Sequence, residues 1–134
     1  MSDRPIAAAA VLYAKDVAAT RAFYEGVTGF KVASTAHDHV VLASPALELT
    51  IVQIPAAIAA TIEIARPPVR RTETPIKLVF PVASLEAARA AAPRLGGELN
   101  PPEREWSFGP WRVCDGHDPE GNMFQLRQRA EAQA

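Results

Sequence analysis

Cysteine is nearly absent from this chain of 134 residues, which contains Cys114 alone. One cysteine can form neither an intrachain disulfide nor a thiolate metal cluster, so we expect Cys114 to be a buried thiol in a reducing compartment. Long apolar runs are also missing, because none approaches the roughly 18 residues that a membrane-spanning helix needs. The apolar segment 6–14 leads at once into Lys15 and Asp16, and we interpret it as a strand rather than a signal peptide. A cytoplasmic protein without membrane contact is the resulting expectation.

An excess of charge of either sign is likewise missing. The chain has 14 Lys and Arg against 15 Asp and Glu, a formal net charge of −1. Such a chain has no electrostatic means of attracting nucleic acid or an anionic membrane. Hydrophobic residues make up 49% of the sequence, and 134 residues are the length of one ordinary domain. We therefore expect one domain, 1–134, whose partners are small molecules or other protein chains.

What the sequence does contain is an internal repeat. Residues 13–29 and 81–97 share one pattern, in which the end of a strand, a capping residue, a helical segment and a glycine follow one another. Asp16 in the first copy corresponds to Ser84 in the second, and both are residue types that cap the start of a helix. Further strand patterns follow in each copy. The order strand, helix, three strands therefore occurs twice.

The repeat predicts an α+β fold of two βαβββ modules, about 6–54 and 76–129. A connector, 55–75, lies between the modules and is rich in proline and arginine. The helices are predicted at 17–28 and 85–95. In the connector Arg66, Arg70 and Arg71 make the chain locally basic, and they either bind an anion or are simply solvated. His117 directly precedes the predicted turn at 118–122 and is expected to be exposed.

Alternation along the predicted strands gives each sheet two different faces. One face is uniformly apolar and should lie beneath the helices, with these side chains: Leu12, Leu49, Phe80, Phe124 and Leu126. The opposite face, which we call the mixed face, sets isolated polar residues among apolar ones. A concave face of that composition suits a ligand pocket, which is usually apolar with a few placed polar groups.

Two parts of the sequence resemble a known superfamily. They are the segments 11–17, 22–24 and 29–30 in the first module, and the turn with its following strand, 118–126, in the second. On these motifs the chain resembles the vicinal oxygen chelate superfamily of glyoxalases, bleomycin resistance proteins and extradiol dioxygenases, over nearly its whole length. The resemblance implies that the two modules curl their mixed sheets into a cup around a small molecule. It also implies a homodimer.

The resemblance further indicates where enzymes of the superfamily hold a divalent metal. The positions are one on the first and one on the last strand of each module, and they fall here on Ala9, Glu48, Lys77 and Gln125. A methyl group cannot bind a metal and an ammonium group repels one, whereas a Zn²⁺ or Ni²⁺ site needs about three or more N, O or S ligands. The resemblance therefore supports the fold and argues against metal-dependent chemistry. We predict no metal site and no other cofactor.

Glu48, Lys77 and Gln125 would converge at the floor of the cup if the family geometry holds. Lys77 could then take the electrostatic place of the metal and meet a carboxylate, phenolate or carbonyl oxygen of the ligand. Alternatively, Lys77 and Glu48 form a structural ion pair that fills a vacated site. Both interpretations are open at this stage.

An aromatic cluster forms the second part of the expected site. Trp106, Phe108 and Trp111 fall in a segment that borders the cup in antibiotic-binding relatives, and Tyr13 lies on the mixed face of the first strand. Their rings could stack on a planar ligand, or they could pack under the loop or at a dimer interface.

We therefore predict a metal-independent protein of the glyoxalase and bleomycin-resistance type that binds a small aromatic or amphipathic ligand in the cup. The ligand-binding residues expected are Tyr13, Glu48, Lys77, Gln125, Trp106 and Trp111. The alternative is a metal-dependent lyase, isomerase or dioxygenase of the same superfamily. A third hypothesis is a domain kept for assembly, with a filled cup.

Overall fold

The computed structural model describes residues 7–130. The first module consists of β1 (Ala8–Ala14), α1 (Val17–Thr28), β2 (Lys31–Thr35), β3 (His39–Ala43) and β4 (Leu47–Gln53). The connector holds one short helix, α2 (Ala56–Ala59). The second module consists of β5 (Leu78–Pro81), α3 (Leu85–Arg94), β6 (Glu98–Leu99), a 3₁₀ turn at Pro102–Arg104, β7 (Trp106–Phe108), β8 (Trp111–His117) and β9 (Met123–Arg129). The predicted start of the first module, Ile6, lies outside the described residues.

The two modules form two mixed sheets with the same plan. In the first, the strand order is β1-β4-β3-β2, with β1 parallel to β4 and the other pairs antiparallel. In the second, the order is β5-β9-β8-β6, with β5 parallel to β9 and β7 added as an extra antiparallel partner of β8. The first and last strands of each module are thus neighbours. The predicted α+β fold of two βαβββ modules is confirmed, with β7 as an addition.

Local capping explains where the helices begin and end. The Asp16 Oδ1 accepts a hydrogen bond from the Ala19 amide at 2.9 Å, and α1 ends at Gly29, whose φ of 78° lies in the left-handed region that glycine adopts without strain. Ser84 caps α3 in the same way through the Ala87 amide. The sequence predicts that Pro93 ends or kinks α3, but the helix continues through Arg94. A proline in the last turn removes only one intrahelical hydrogen bond.

Helices α1 and α3 share one hydrophobic core with both sheets. Helix α1 packs on α3 and on the first sheet, and its aromatic rings reach the second sheet, where Tyr24 meets Phe80 at 5.5 Å between ring centroids. The predicted core residues Leu49, Phe80, Phe124 and Leu126 are fully buried, and Leu12 packs against them. Because one face of each sheet lies against this core, the mixed faces point away from it.

The predicted turn at 118–122 joins the two modules by hydrogen bonds. Asp118 is fully buried, and its carboxylate accepts hydrogen bonds from the Tyr24 hydroxyl at 2.8 Å, from the Glu120 and Asn122 amides and from the Asn122 side chain. The Glu120 carboxylate accepts from the amides of Lys15 and Asp16, just before α1. The turn of the second module therefore holds the start of the first helix.

The connector is fastened to the second module, which corrects two expectations. The Arg70 side chain donates to the His117 Nδ1 and to the Asn100 Oδ1, each at 2.6 Å, so Arg70 is not merely solvated. His117 is only 6% exposed, whereas its place before a turn predicts exposure. Burial, and then the charge of Arg70, lower the pKa of His117, so the ring stays neutral and accepts the hydrogen bond.

Across residues 7–130, no helix is both long and apolar enough to cross a membrane.

Candidate functional site

The mixed face of the second sheet carries a cluster of aromatic and basic side chains. Register across β7, β8 and β9 sets them in two neighbouring rows, Trp106–Val113–Arg127 and Phe108–Trp111–Arg129. Directly paired residues project to the same face of a sheet, so the six side chains lie together. Val113 is 1% exposed although it faces away from the helices, because the larger side chains around it cover it. The residues Trp106, Trp111, Arg127 and Val113 form what we call the aromatic–arginine cluster.

Arg127 is the polar centre of this cluster. Its guanidinium carbon lies 4.2 Å from the centroid of the Trp111 ring, which is a cation–π contact. Arg129 is farther from the same ring, at 5.5 Å. The Arg127 Nε is buried, and no acceptor among residues 7–130 lies within hydrogen-bonding distance of it. The two Nη groups are not buried and have no acceptor among the same residues, so they are available to an acceptor from outside the chain.

A second polar group lies beside the cluster on the same sheet. The Lys77 ammonium donates to the Asp115 Oδ2 at 2.8 Å, and the Gln125 amide donates to the Asp115 Oδ1 at 3.3 Å. Asp115 and Gln125 are directly paired across β8 and β9. The ion pair is partly exposed, with 39% of the Lys77 side chain and 20% of the Asp115 side chain accessible. Lys77 is thus neutralised by its own sheet and presents no free positive charge to a ligand.

This arrangement differs from the expected one, in which Lys77 pairs with Glu48. Glu48 lies on β4 of the first sheet, in register with Ala9, and lines a hollow of about 510 Å³ with Thr28 and Lys31. The structure gives Lys77 the partner Asp115 because that residue stands opposite Gln125 on the adjacent strand. Asp115 was missing from the predicted site. Asp115 lies two residues from Val113 on the same strand, so the period of two places both on the mixed face.

The aromatic segment is a strand rather than a loop. Trp106–Phe108 forms β7 and pairs with Trp111–Val113 through a turn at Gly109, whose φ is +56°. Trp106 is 39% exposed and Phe108 66% exposed, so each ring offers surface to a ligand or a partner. Pairing with β8 fixes the position of both rings on the sheet, which a loop would not do.

Tyr13 lies on the mixed face of the other sheet. It is 61% exposed, and Val11 beside it on the same face is 59% exposed. Both residues belong to β1, the edge strand of the first sheet. Three surface hollows of about 770, 510 and 250 Å³ are lined by other residues than Tyr13, Val11 and the aromatic–arginine cluster. The exposure of Val11, Tyr13, Trp106 and Phe108 leaves these parts of the two mixed faces as open surface in a single chain.

The four positions at which the superfamily holds a metal do not fit a divalent ion here. The Ala9 side chain has no donor atom, and Lys77 is a cation already bound to Asp115. Glu48 and Gln125 lie on different sheets. Within the described part of the chain, no group of three or more His, Cys, Asp or Glu side chains is placed to hold a metal ion. The donor set is too small for Zn²⁺ or a similar ion.

Paired βαβββ modules with a polar and aromatic face define a protein of the glyoxalase and bleomycin-resistance fold. The chain belongs to the glyoxalase-like domain family, which matches residues 9–127. Comparison with solved structures gives the same fold. A glyoxalase/bleomycin resistance protein from Albidiferax ferrireducens T118 superposes with a TM-score of 0.64 at 18% identity, over 91% of this chain and 97% of that one.

Two further solved structures extend the comparison. A glyoxalase/bleomycin resistance protein/dioxygenase family enzyme from Burkholderia phytofirmans PsJN has a TM-score of 0.64 at 20% identity, covering 91% of this chain and 97% of that one. The fosfomycin resistance protein FosX from Listeria monocytogenes has a TM-score of 0.63 at 18% identity, covering 97% and 94%. Identities this low establish the shared fold alone. No curated protein sequence matches the chain significantly.

Proposed function

We propose that this protein binds a small aromatic or amphipathic molecule on the mixed face of the second sheet, without a metal. The observation that carries the proposal is the aromatic–arginine cluster, where exposed indole surface adjoins an arginine side chain that has no acceptor among residues 7–130. Ligand sites are typically apolar with a few convergent polar groups, and this cluster has that composition. The ion pair of Lys77 and Asp115, with Gln125, adds a polar border at one side.

Trp106→Ala should weaken the binding of a planar neutral probe, 2-naphthamide, by roughly tenfold, because stacking and burial on an indole are worth about 1–2 kcal/mol. Binding is measured by calorimetry on protein dialysed against EDTA. Ile58→Ala is the matched control, since it also truncates an exposed apolar side chain, 54% accessible, but on α2 of the connector. Equal affinity of wild type and Trp106→Ala would count against a ligand on this face.

We further propose that the protein is a homodimer in which a second copy covers the open mixed faces. Val11 and Tyr13 form an apolar surface on an edge strand, and unpaired strand edges with apolar side chains are usually covered in native proteins. The family resemblance supports the same arrangement. A partner that lies over these faces would also close the ligand site against water, as the cup of the superfamily implies.

Val11→Glu should shift the protein from dimer to monomer in sedimentation velocity at micromolar concentration, because it buries a charge without a partner at the interface. Val69→Glu is the control, since Val69 is a comparably exposed valine, 73% accessible, on the connector. The wild type and the control should both remain dimers. A wild-type protein that sediments as a monomer would defeat this part of the proposal.

A further inference from the structure

Arg127 differs from the other cations of the mixed face in having a buried nitrogen without an acceptor. Arg129, on the same face, is exposed to water. Lys77 is bound to Asp115, and Arg112, on the other face of β8, is bound to Glu105 at 2.7 Å. Among residues 7–130, no carboxylate forms an ion pair with Arg127. Its Nε is nonetheless buried, so water does not replace the missing acceptor freely.

The surroundings of Arg127 hold its guanidinium group in one orientation. The Trp111 ring lies against the guanidinium group, with its centroid 4.2 Å from the guanidinium carbon. The edge of the plane carries the N–H groups, and a guanidinium edge matches the two oxygens of a carboxylate in a bidentate pair. Stacking against an aromatic ring fixes the side chain before the ligand arrives, so little further conformational entropy is lost on binding.

Register gives the distance from this donor to the aromatic surface. Trp106 and Arg127 both pair with Val113, one on each side, so they are two strands apart on the same face. Neighbouring strands are about 4.8 Å apart, which sets the two residues about 10 Å apart along the sheet. A two-ring aromatic molecule with one acidic group spans that distance, with its rings near Trp106 and its oxygens at Arg127.

We propose that Arg127 is the anion-recognising residue of this face and that it selects aromatic ligands bearing a carboxylate. The inference rests on the proposed function, since it names the chemical class of the ligand. It also moves the positive charge of the site from Lys77, where the sequence suggests it, to Arg127. The carboxylate would pair with the Nη groups of Arg127, which have no acceptor within the described chain and, unlike the Nε, are not buried.

The test compares two probes that differ only in charge, 2-naphthoate and 2-naphthamide, by calorimetry on EDTA-dialysed protein. Wild type should bind naphthoate more tightly than naphthamide. Arg127→Gln should weaken the binding of 2-naphthoate by roughly 10- to 100-fold and change the binding of 2-naphthamide little, because a hydrogen bond to a charged group is removed only for the acid. Arg127→Lys keeps the charge but not the planar edge, and should recover only part of the preference.

Arg129→Gln provides the matched control, because it removes the same charge two residues away on the same face of β9. It should leave the preference for naphthoate nearly unchanged. An equal loss of 2-naphthoate affinity in Arg129→Gln and Arg127→Gln would overturn the assignment, since the overall positive charge of the face, and not one residue, would then attract the acid. Equal binding of both probes by wild type overturns the inference and leaves the proposed function standing. Binding of neither probe overturns both. Melting temperatures of all variants within a few degrees of wild type identify any effect as one on binding.

Discussion

Phe80→Ala should lower the free energy of unfolding by about 3–5 kcal/mol, measured by urea denaturation at fixed protein concentration. Phe80 is fully buried on β5, and its ring contacts the rings of Tyr24, Phe30 and Phe124 with centroids 5.5, 5.7 and 6.4 Å away. These partners come from both modules, so the cavity left by truncation would lie in the middle of the shared core. The surrounding rings cannot collapse into it without breaking their own contacts.

Ile58→Ala is the control for this prediction. It truncates an apolar side chain that is 54% exposed on α2 of the connector, outside the mixed faces, and it should cost less than about 0.5 kcal/mol. If the free energy of unfolding fell by the same small amount in both variants, Phe80 would not lie in a packed core. The assignment of the two sheet faces would then be wrong.

Asp118→Ala should be comparably severe, at roughly 3–5 kcal/mol, because it removes the common acceptor of several buried donors. The Asp118 carboxylate accepts from the Tyr24 hydroxyl, the Glu120 and Asn122 amides and the Asn122 side chain. Burial above all, and then the charge of Asp118, raise the pKa of Tyr24 well above its ordinary value, so the phenol remains protonated and donates at neutral pH.

Tyr24→Phe separates one of these hydrogen bonds from the rest. It removes a single donor and should cost about 1–2 kcal/mol in the same denaturation experiment. Asp118→Ala must be clearly the more destabilising of the two if the carboxylate organises the whole turn. Equal effects would mean that the turn keeps its shape without Asp118.

The parts of the fold that sequence predicts well are those with local causes. Helix α1 has the predicted limits, Val17–Thr28, because Asp16 and Gly29 supply the two end signals within the segment itself. The buried residues of the strands follow from a period of two, which needs no knowledge of the partner strand. The sequence does not predict β7, because three residues beside a turn are too few to show alternation, and pairing with β8 alone defines it.

The site shows where local patterns stop. Alternation assigns Lys77, Gln125 and Glu48 to mixed faces, but which side chains meet depends on how strands are ordered in each sheet. Asp115 becomes the partner of Lys77 through strand order, and no spacing in the sequence expresses that. Arg127 could have been selected, because it lies two residues beyond Gln125 and therefore on the same face.

The sequence predicts an exposed His117, which is wrong for a related reason. A residue just before a turn is usually accessible, but the connector returns to this point and Arg70 lies against the ring. That contact joins residues far apart in the sequence, and neither residue type predicts it. The connector, which has little regular structure, is thus the part of the chain for which sequence patterns are least informative.

The central claim, that the protein binds its ligand without a metal, is tested most directly by one calorimetric comparison. 2-Naphthamide is titrated into wild-type protein after dialysis against EDTA, and again after addition of excess Zn²⁺, Mn²⁺ or Ni²⁺. We expect the same affinity in every case, because Ala9 and Lys77 supply no metal ligand. Binding that occurs only with the added metal, and is lost in Glu48→Ala, would contradict the proposal and favour a metal-dependent enzyme of the same family.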